Sequence, residues 1–292
     1  MNKIISLFLL LSATSAFSSS DFPEKLSETR FSKSTKYELN FPLWTDGAIK
    51  DRFYYIPKGK QIDNTDFSAW KYPDGTQLWK NFSGVDGKIE TRTMLKKNGS
   101  WLFATYRWEG LEDAYLVPDE GYLDAGFLSM DEDLTLDIPS QKQCVLCHNR
   151  KNSRPVGFEG IQLVDKGDTL NILREKGVFK KDFTEKQLNM FRLKGLSKSD
   201  KYMVGYLQGN CSSCHNKEGY ASFLPIFKAP IETNSIKATK DQLDGIITEK
   251  ADRILFRTSH TDPKMRMPKI GSKIPHPEFQ EKLKAWMATK NK

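Results

Sequence analysis

The chain contains four cysteines, and all of them fall in two copies of one pattern, C-x-x-C-H: Cys144-Val145-Leu146-Cys147-His148 and Cys211-Ser212-Ser213-Cys214-His215. Two thiols three residues apart on a helical turn point to one side of the chain, and the imidazole follows directly. This is the spacing that covalent haem attachment requires, with both thiols adding to vinyl groups of one porphyrin and the adjacent histidine falling under the iron. The pattern therefore predicts two haem c groups. Cys144, Cys147, Cys211 and Cys214 are the attachment residues, and His148 and His215 are the proximal iron ligands. A zinc site would also use two C-x-x-C pairs, but structural zinc ligands usually lie closer together in sequence than these do. A thioredoxin-like redox pair needs a surrounding βαβ pattern and has no use for the two following histidines.

The start of the chain agrees with export. Lys3, the apolar run from Ile4 to Leu11 and the small residues Ala13, Ser15 and Ala16 read as a secretory leader over 1–20, cleaved near Ala16. That apolar run is too short to span a bilayer, and the first cysteine is Cys144, far from any lipoprotein cleavage position. The expectation is a periplasmic protein with no transmembrane anchor after cleavage, on the side of the inner membrane where bacterial c-type haems are attached. The formal net charge is +8, from 45 Lys and Arg against 37 Asp and Glu. For an exported chain this argues against nucleic acid; the basic excess reads first as a solvated surface and second as a means of steering an acidic redox partner protein in the periplasm.

The fold class expected is α+β, with an amino-terminal antiparallel, sandwich-like β domain followed by a mainly α di-haem domain. Over 36–139, short aromatic and β-branched runs such as Arg52-Phe53-Tyr54-Tyr55-Ile56 and Trp101 to Tyr106 alternate with turn chemistry at Pro57-Lys58-Gly59, Pro73-Asp74-Gly75 and Asn98-Gly99-Ser100. A first haem-binding segment follows at 140–196, and a cytochrome c-like unit with the second haem at 197–292. Thr184-Glu185-Lys186-Gln187 fits a capping box. Ser197, with Asp200, suits the start of the helix that carries Tyr202, Tyr206 and Leu207 into the second motif. Phe279, Leu283 and Trp286 form one stripe on a terminal helix.

A low-spin iron of this type takes methionine on its second axial side, from a loop well downstream of the motif. Arg266-Met267-Pro268 meets that description, which makes Met267 the expected ligand opposite His215, with Met265 the fallback. Pro225 or Pro230 is expected to supply the carbonyl that orients the His215 ring. For the first iron, Met130, Met190, Met203, Met265, His260 and His276 are all candidates and none stands out; packing is the commoner role for Met190 and Met203, and a surface position for His260 and, between Pro275 and Pro277 at the start of the final helix, for His276.

Further residues carry a resemblance to a family. Pro42-Leu43-Trp44-Thr45-Asp46-Gly47-Ala48 with Lys50 and Arg52, Trp70 with Pro73-Asp74-Gly75-Thr76, Glu90-Thr91-Arg92, Tyr106-Arg107-Trp108, Pro139-Ser140 before Cys144, Gly157-Phe158, Gly205-Tyr206-Leu207 before Cys211 and Arg266-Met267-Pro268 together resemble exported bacterial di-haem cytochrome c-like proteins with an amino-terminal β-rich domain. The resemblance implies architecture and haem binding, and no substrate. Read from the residues themselves, Trp44, Trp70 and Trp108 are packing and Asp46-Gly47 is a turn. The alternative is that Asp46, Lys50, Arg52, Glu90 and Arg92 form a polar cluster near the first haem. The function expected is single-electron transfer by a periplasmic di-haem c-type cytochrome. Its alternative is a di-haem oxidoreductase, peroxidase-like, with the first haem as reaction centre; a third class is a binding module built on the β domain.

Overall fold

A computed structural model describes residues 21–67, 69–129, 133–148, 155–216, 219–222 and 235–290. The leader expected over 1–20 lies outside these residues, as do Met130, Pro225 and Pro230. The β-rich part is a six-stranded antiparallel sheet in which neighbours in sequence are neighbours in space: β1 (Thr35–Tyr37), β2 (Ile49–Tyr55), β3 (Gln77–Gly84), β4 (Gly87–Lys97), β5 (Ser100–Glu109) and β6 (Asp113–Leu116). Local chemistry fixes the register. Asn98 and Gly99 both take positive φ, 50° and 74°, which makes a two-residue turn that matches the twist of the strands and pairs Lys97 with Ser100.

Side chains alternate across this sheet. On the outer face Trp79, Ala104, Tyr106 and Ala114 are covered by Phe22, Leu26 and Phe31 from the preceding segment. On the inner face Tyr54, Leu78, Met94 and Phe103 pack against Phe158, Leu163, Leu170 and Phe191, so sheet and helices share one core. A hairpin of β7 (Tyr122–Ser129) and β8 (Leu134–Ile138) covers the far end of the inner face through Phe82, Ile89 and Leu136. The α+β class is therefore present, but the sandwich-like expectation narrows. Helices, and not a second full sheet, cover most of the inner face.

The helices begin where the capping chemistry places them. α1 (Gln141–Cys147) starts with a reciprocal capping box between Ser140 and Gln143. After α2 (Gly160–Leu163) and α3 (Thr169–Glu175), α4 (Glu185–Phe191) has the same device in Thr184 and Gln187. α5 (Lys198–Asn210) is capped by the Ser197 hydroxyl, which accepts from Asp200 N. It packs with α6 (Ile236–Ser259) and α7 (Pro277–Lys290) around Tyr206, Leu207, Leu243, Ile246, Phe279, Leu283 and Trp286. The rings of Tyr206 and Phe279 stack at 3.8 Å, and the Trp286 indole donates to Asp200 at 2.8 Å. Burying each of these large side chains stabilises the assembly by roughly 1.5–3 kcal/mol.

One segment ties the helices to the sheet. Residues 39–44 cross α5 at two glycines; a Cβ on Gly205 would lie 2.0 Å from the Phe41 ring, and one on Gly209 would lie 2.5 Å from Leu43. Only glycine permits that approach. Among the described residues, no helix is long and apolar enough to cross a membrane.

Candidate thiol and imidazole site

The fold brings the two C-x-x-C-H motifs together. α1 ends in the first one and lies against β5, where the His148 ring sits 5.1 Å from Phe103. The second follows α5 directly: Cys211 N donates to Leu207 O at 2.9 Å and His215 N to Cys211 O at 2.9 Å, so the helical turn continues through the thiols. Cys147 and Cys214 come within hydrogen-bonding reach of one another. The Cys147 thiol donates; that bond, with burial, holds Cys147 protonated and lowers Cys214 to about 7. Burial pushes Cys144 up, an effect that Arg92 opposes, and raises Cys211 to about 12. All four cysteines are half-buried.

The surroundings are apolar on one side and cationic on the other. Cys144 and Val145 border the core that contains Phe103 and Phe158, while Cys211 borders the core of α5, α6 and α7. Facing the first motif on the inner face of the sheet stand Glu90 and Arg92, joined by Nε and Nη2 to one carboxylate oxygen at 2.9 and 2.5 Å. Glu90 is 0% exposed, and burial raises its carboxyl against the pull of Arg92. Lys50, Arg52 and Lys80 share that face. Burial, then the charges of Arg52 and Arg92, lowers the Lys50 ammonium to about 7.

These positions divide the polar cluster that the sequence suggested. Lys50, Arg52, Glu90 and Arg92 lie together, but Asp46 serves elsewhere. Its backbone is left-handed, φ 49°, and its buried carboxylate accepts from Lys273 N at 2.7 Å and Ile274 N at 3.0 Å. Trp44 adds a bond from its indole to Ile274 O at 3.1 Å. Both residues hold the loop that follows Met267, so Trp44 and the Asp46-Gly47 turn are loop anchors as well as packing. Within that loop Arg266 donates to Thr261 O at 3.0 Å and Ser272 O at 2.8 Å, and Met267 N donates to Arg257 O at 2.9 Å. The Met267 side chain is half-buried.

The other candidates are placed as follows. Met190 and Met203 are buried, Met203 inside the core of α5, α6 and α7. His260 accepts from Asp262 N at 3.1 Å beside the Phe256 ring. His276, expected to resemble a surface residue, is instead buried, because its ring stacks on Trp44 at 4.0 Å and its Nδ1 meets the Tyr206 hydroxyl at 3.0 Å. Lys80 is the site residue that composition and motif left unmarked. Its signal was the alternation of β3, where it falls in phase with the inward Leu78 and Phe82.

The donor set fits haem on this structure's own terms. Each motif offers two sulfurs on one turn with an imidazole next to them, and each borders an apolar core. Among the described residues, no group of three or more His, Cys, Asp or Glu is placed to hold a metal ion. A cleft of about 890 Å³ opens between the segment 36–52 and helices α5 and α7; of the lysines around it, Lys36, Lys166 and Lys282 are paired with Asp51, Glu38 and Glu278 in the same lining, and Lys198 and Lys201 add positive charge beyond those pairs. Comparison with protein-family models, with curated proteins and with solved structures finds no match to this chain.

Proposed function

We propose that the protein is an exported, periplasmic di-haem c-type cytochrome that carries single electrons between redox partner proteins. Cys144 and Cys147 hold one haem and Cys211 and Cys214 the other, with His148 and His215 as iron ligands and Met267 opposite His215. When bound, the haems supply reversible one-electron chemistry at iron. The chain attaches them, sets their axial ligands and keeps water from them.

The observation that carries this reading is the meeting of Cys147 and Cys214. Sulfurs within hydrogen-bonding reach put the two attachment edges side by side, which suits passage of an electron from one group to the next within one chain. Asp46 and Trp44 support it by fixing the loop beyond Met267 from the β-rich part. The lysine-lined cleft suits approach of an acidic partner, with steering that weakens as salt rises. Reduction of the full haem-loaded chain by a rapid one-electron donor tests the proposal. Fast re-equilibration between two distinguishable haems at a rate independent of protein concentration is expected, and a rate that scales with protein concentration contradicts it.

A second reading has one observation in its favour. His276 is committed to Trp44 and Tyr206, and Met203 to the helical core, so these two are drawn away from the first iron. An oxidoreductase working at the first haem then predicts hydrogen peroxide turnover with a reduced donor, lost on changing His148. Absence of turnover by the fully loaded chain removes its peroxidase form.

A further inference from the structure

The inner face of the sheet carries a row of cations that its own structure leaves unbalanced. Arg52 is directly opposite Lys80, and Lys80 is directly opposite Arg92, so three positive side chains stand in register across β2, β3 and β4. Like charges in opposed positions destabilise a sheet. Lys50, one pair further along β2, adds a fourth, whose ammonium donates to Leu43 O at 2.7 Å. The carboxylate set among them is Glu90, which is bonded to Arg92. Lys50, Lys80 and Arg92 approach the ring of Phe82 at 5.9, 5.8 and 4.3 Å, so they converge on one place.

The row is deep but not sealed. Arg52 is 9% exposed, its Nε has no hydrogen-bond partner among the described residues, and its contact to Lys50 O is long at 3.4 Å. Lys80 has no ion-pair partner among the described residues. Burial, and then the neighbouring Arg52, Arg92 and Lys50, pushes its ammonium well below the ordinary value. About a quarter of the Arg92 side chain stays accessible (24%). Buried cations without partners cost several kcal/mol each, and such groups persist where an anion meets them.

The row also begins beside the first motif. Arg92 acts electrostatically on both Cys144 and Cys147, and His148 lies against Phe103, whose partner on β4 is Met94, on the same face as Arg92. From Arg92 the cations run away from the thiols for two strand spacings, about 10 Å. That is the direction and the kind of span from the sulfur-bonded edge of a porphyrin to the edge that bears its two carboxylates.

We infer that Arg52, Lys80 and Arg92 receive the propionate carboxylates of the first haem. The inference rests on the haem reading above and deepens it, since it assigns the inner face of the sheet as the haem-binding wall. It gives the β-rich part a purpose, the neutralisation of two carboxylates in a water-poor site. It also explains why the pair Glu90 and Arg92 leaves Arg52 and Lys80 over, one cation for each carboxylate.

The test uses the full chain, produced with its haems attached, as wild type, Lys80→Met and Lys80→Arg. Covalent haem content is measured first, then the reduction potential of each haem. Two haems are expected in all three proteins. Loss of a nearby positive charge favours the ferric state, so Lys80→Met should shift one potential downward and leave the other in place, and Lys80→Arg should restore it. In a chain that also carries Cys144→Ala and Cys147→Ala, Lys80→Met should move nothing. If Lys80→Met fails to accumulate, Arg52→Gln supplies the same readout from a different strand.

Two haems with potentials indifferent to both substitutions overturn the assignment while leaving the haem reading intact. A shift that persists without the first haem does the same. A wild-type chain without covalent haem sinks the underlying reading and this one with it. A last arm adds acetate or inorganic phosphate at constant ionic strength. Saturable binding that Lys80→Met abolishes would give the cations to a free anion and overturn the assignment; no saturable binding is expected.

Discussion

Replacement of Asp46 by alanine probes the connection between the β-rich part and the loop of Met267. The carboxylate accepts two backbone N–H groups, from Lys273 at 2.7 Å and Ile274 at 3.0 Å, in a position that is 5% exposed. Hydrogen bonds to a charged acceptor contribute about 1.5–3 kcal/mol each, so two give roughly 3–6 kcal/mol before opposing effects. Against this stands the cost of burying the charge, visible in a carboxyl raised by burial despite both bonds and the nearby Arg266 and Lys273. Alanine at φ 49° adds about 1 kcal/mol of backbone strain. The net expectation for Asp46→Ala is a loss of about 2–4 kcal/mol in denaturant unfolding. Asp46→Asn keeps one acceptor and tolerates the left-handed backbone, and should lose about 1 kcal/mol. In the haem-loaded protein, Asp46→Ala should also weaken the long-wavelength absorption band of methionine-ligated ferric iron, at denaturant concentrations below the global transition. An Asp46→Ala protein within about 0.5 kcal/mol of wild type, with that band intact, refutes the anchoring argument.

The pH dependence follows from the same group. Because the folded carboxyl is raised above its ordinary value, the folded chain holds this proton more tightly than the unfolded chain, and the Asp46 contribution is lost as pH rises through the folded value. Relative to Asp46→Asn, wild type should therefore lose ground between the ordinary carboxylate value of 3.8 and neutral pH, which paired denaturation curves at several pH values would show. Gly205→Ala forces the Phe41 ring to move, since the new Cβ would lie 2.0 Å from it, and should cost about 1–3 kcal/mol in thermal unfolding; an unchanged midpoint would mean that the segment is not seated on α5. Trp286→Phe leaves Asp200 Oδ1 without its indole donor in a buried site, with an expected loss of about 1–3 kcal/mol by the same assay. Raising ionic strength should slow electron delivery to an acidic partner through the lysine-lined cleft, and Lys198→Glu with Lys201→Glu should slow it further; rates blind to both would remove the cleft as the approach side.

Much of this arrangement was legible because its causes are local. The capping box at Thr184, the cap at Ser197 and the stripe of Phe279, Leu283 and Trp286 depend on residues three or four apart, and the structure has each of them. The Asn98-Gly99 turn set the β4–β5 register for the same reason. What stayed hidden depends on contacts across long separations. The approach of Cys147 to Cys214 needs the core that Cys144 borders and the core of α5, α6 and α7 that Cys211 borders to lie side by side, and nothing near either motif encodes it. The cation row emerges only when three strands are aligned, since Lys80, which stands between Arg52 and Arg92 of the suggested polar cluster, looks like an ordinary strand charge alone. Asp46 read as a turn residue because its two partners lie beyond residue 270. His276 read as exposed between two prolines, yet Trp44 and Tyr206 enclose it.

The central claim is that each C-x-x-C-H motif holds a haem. The most direct measurement is the haem that remains with the full chain after denaturation and acid extraction, assayed by its reduced pyridine spectrum. The account predicts two haems per chain with thioether-type spectra, one in Cys144→Ala/Cys147→Ala and one in Cys211→Ala/Cys214→Ala. Haem that extracts completely from the wild-type chain, or never attaches where C-x-x-C-H partners are processed normally, contradicts it.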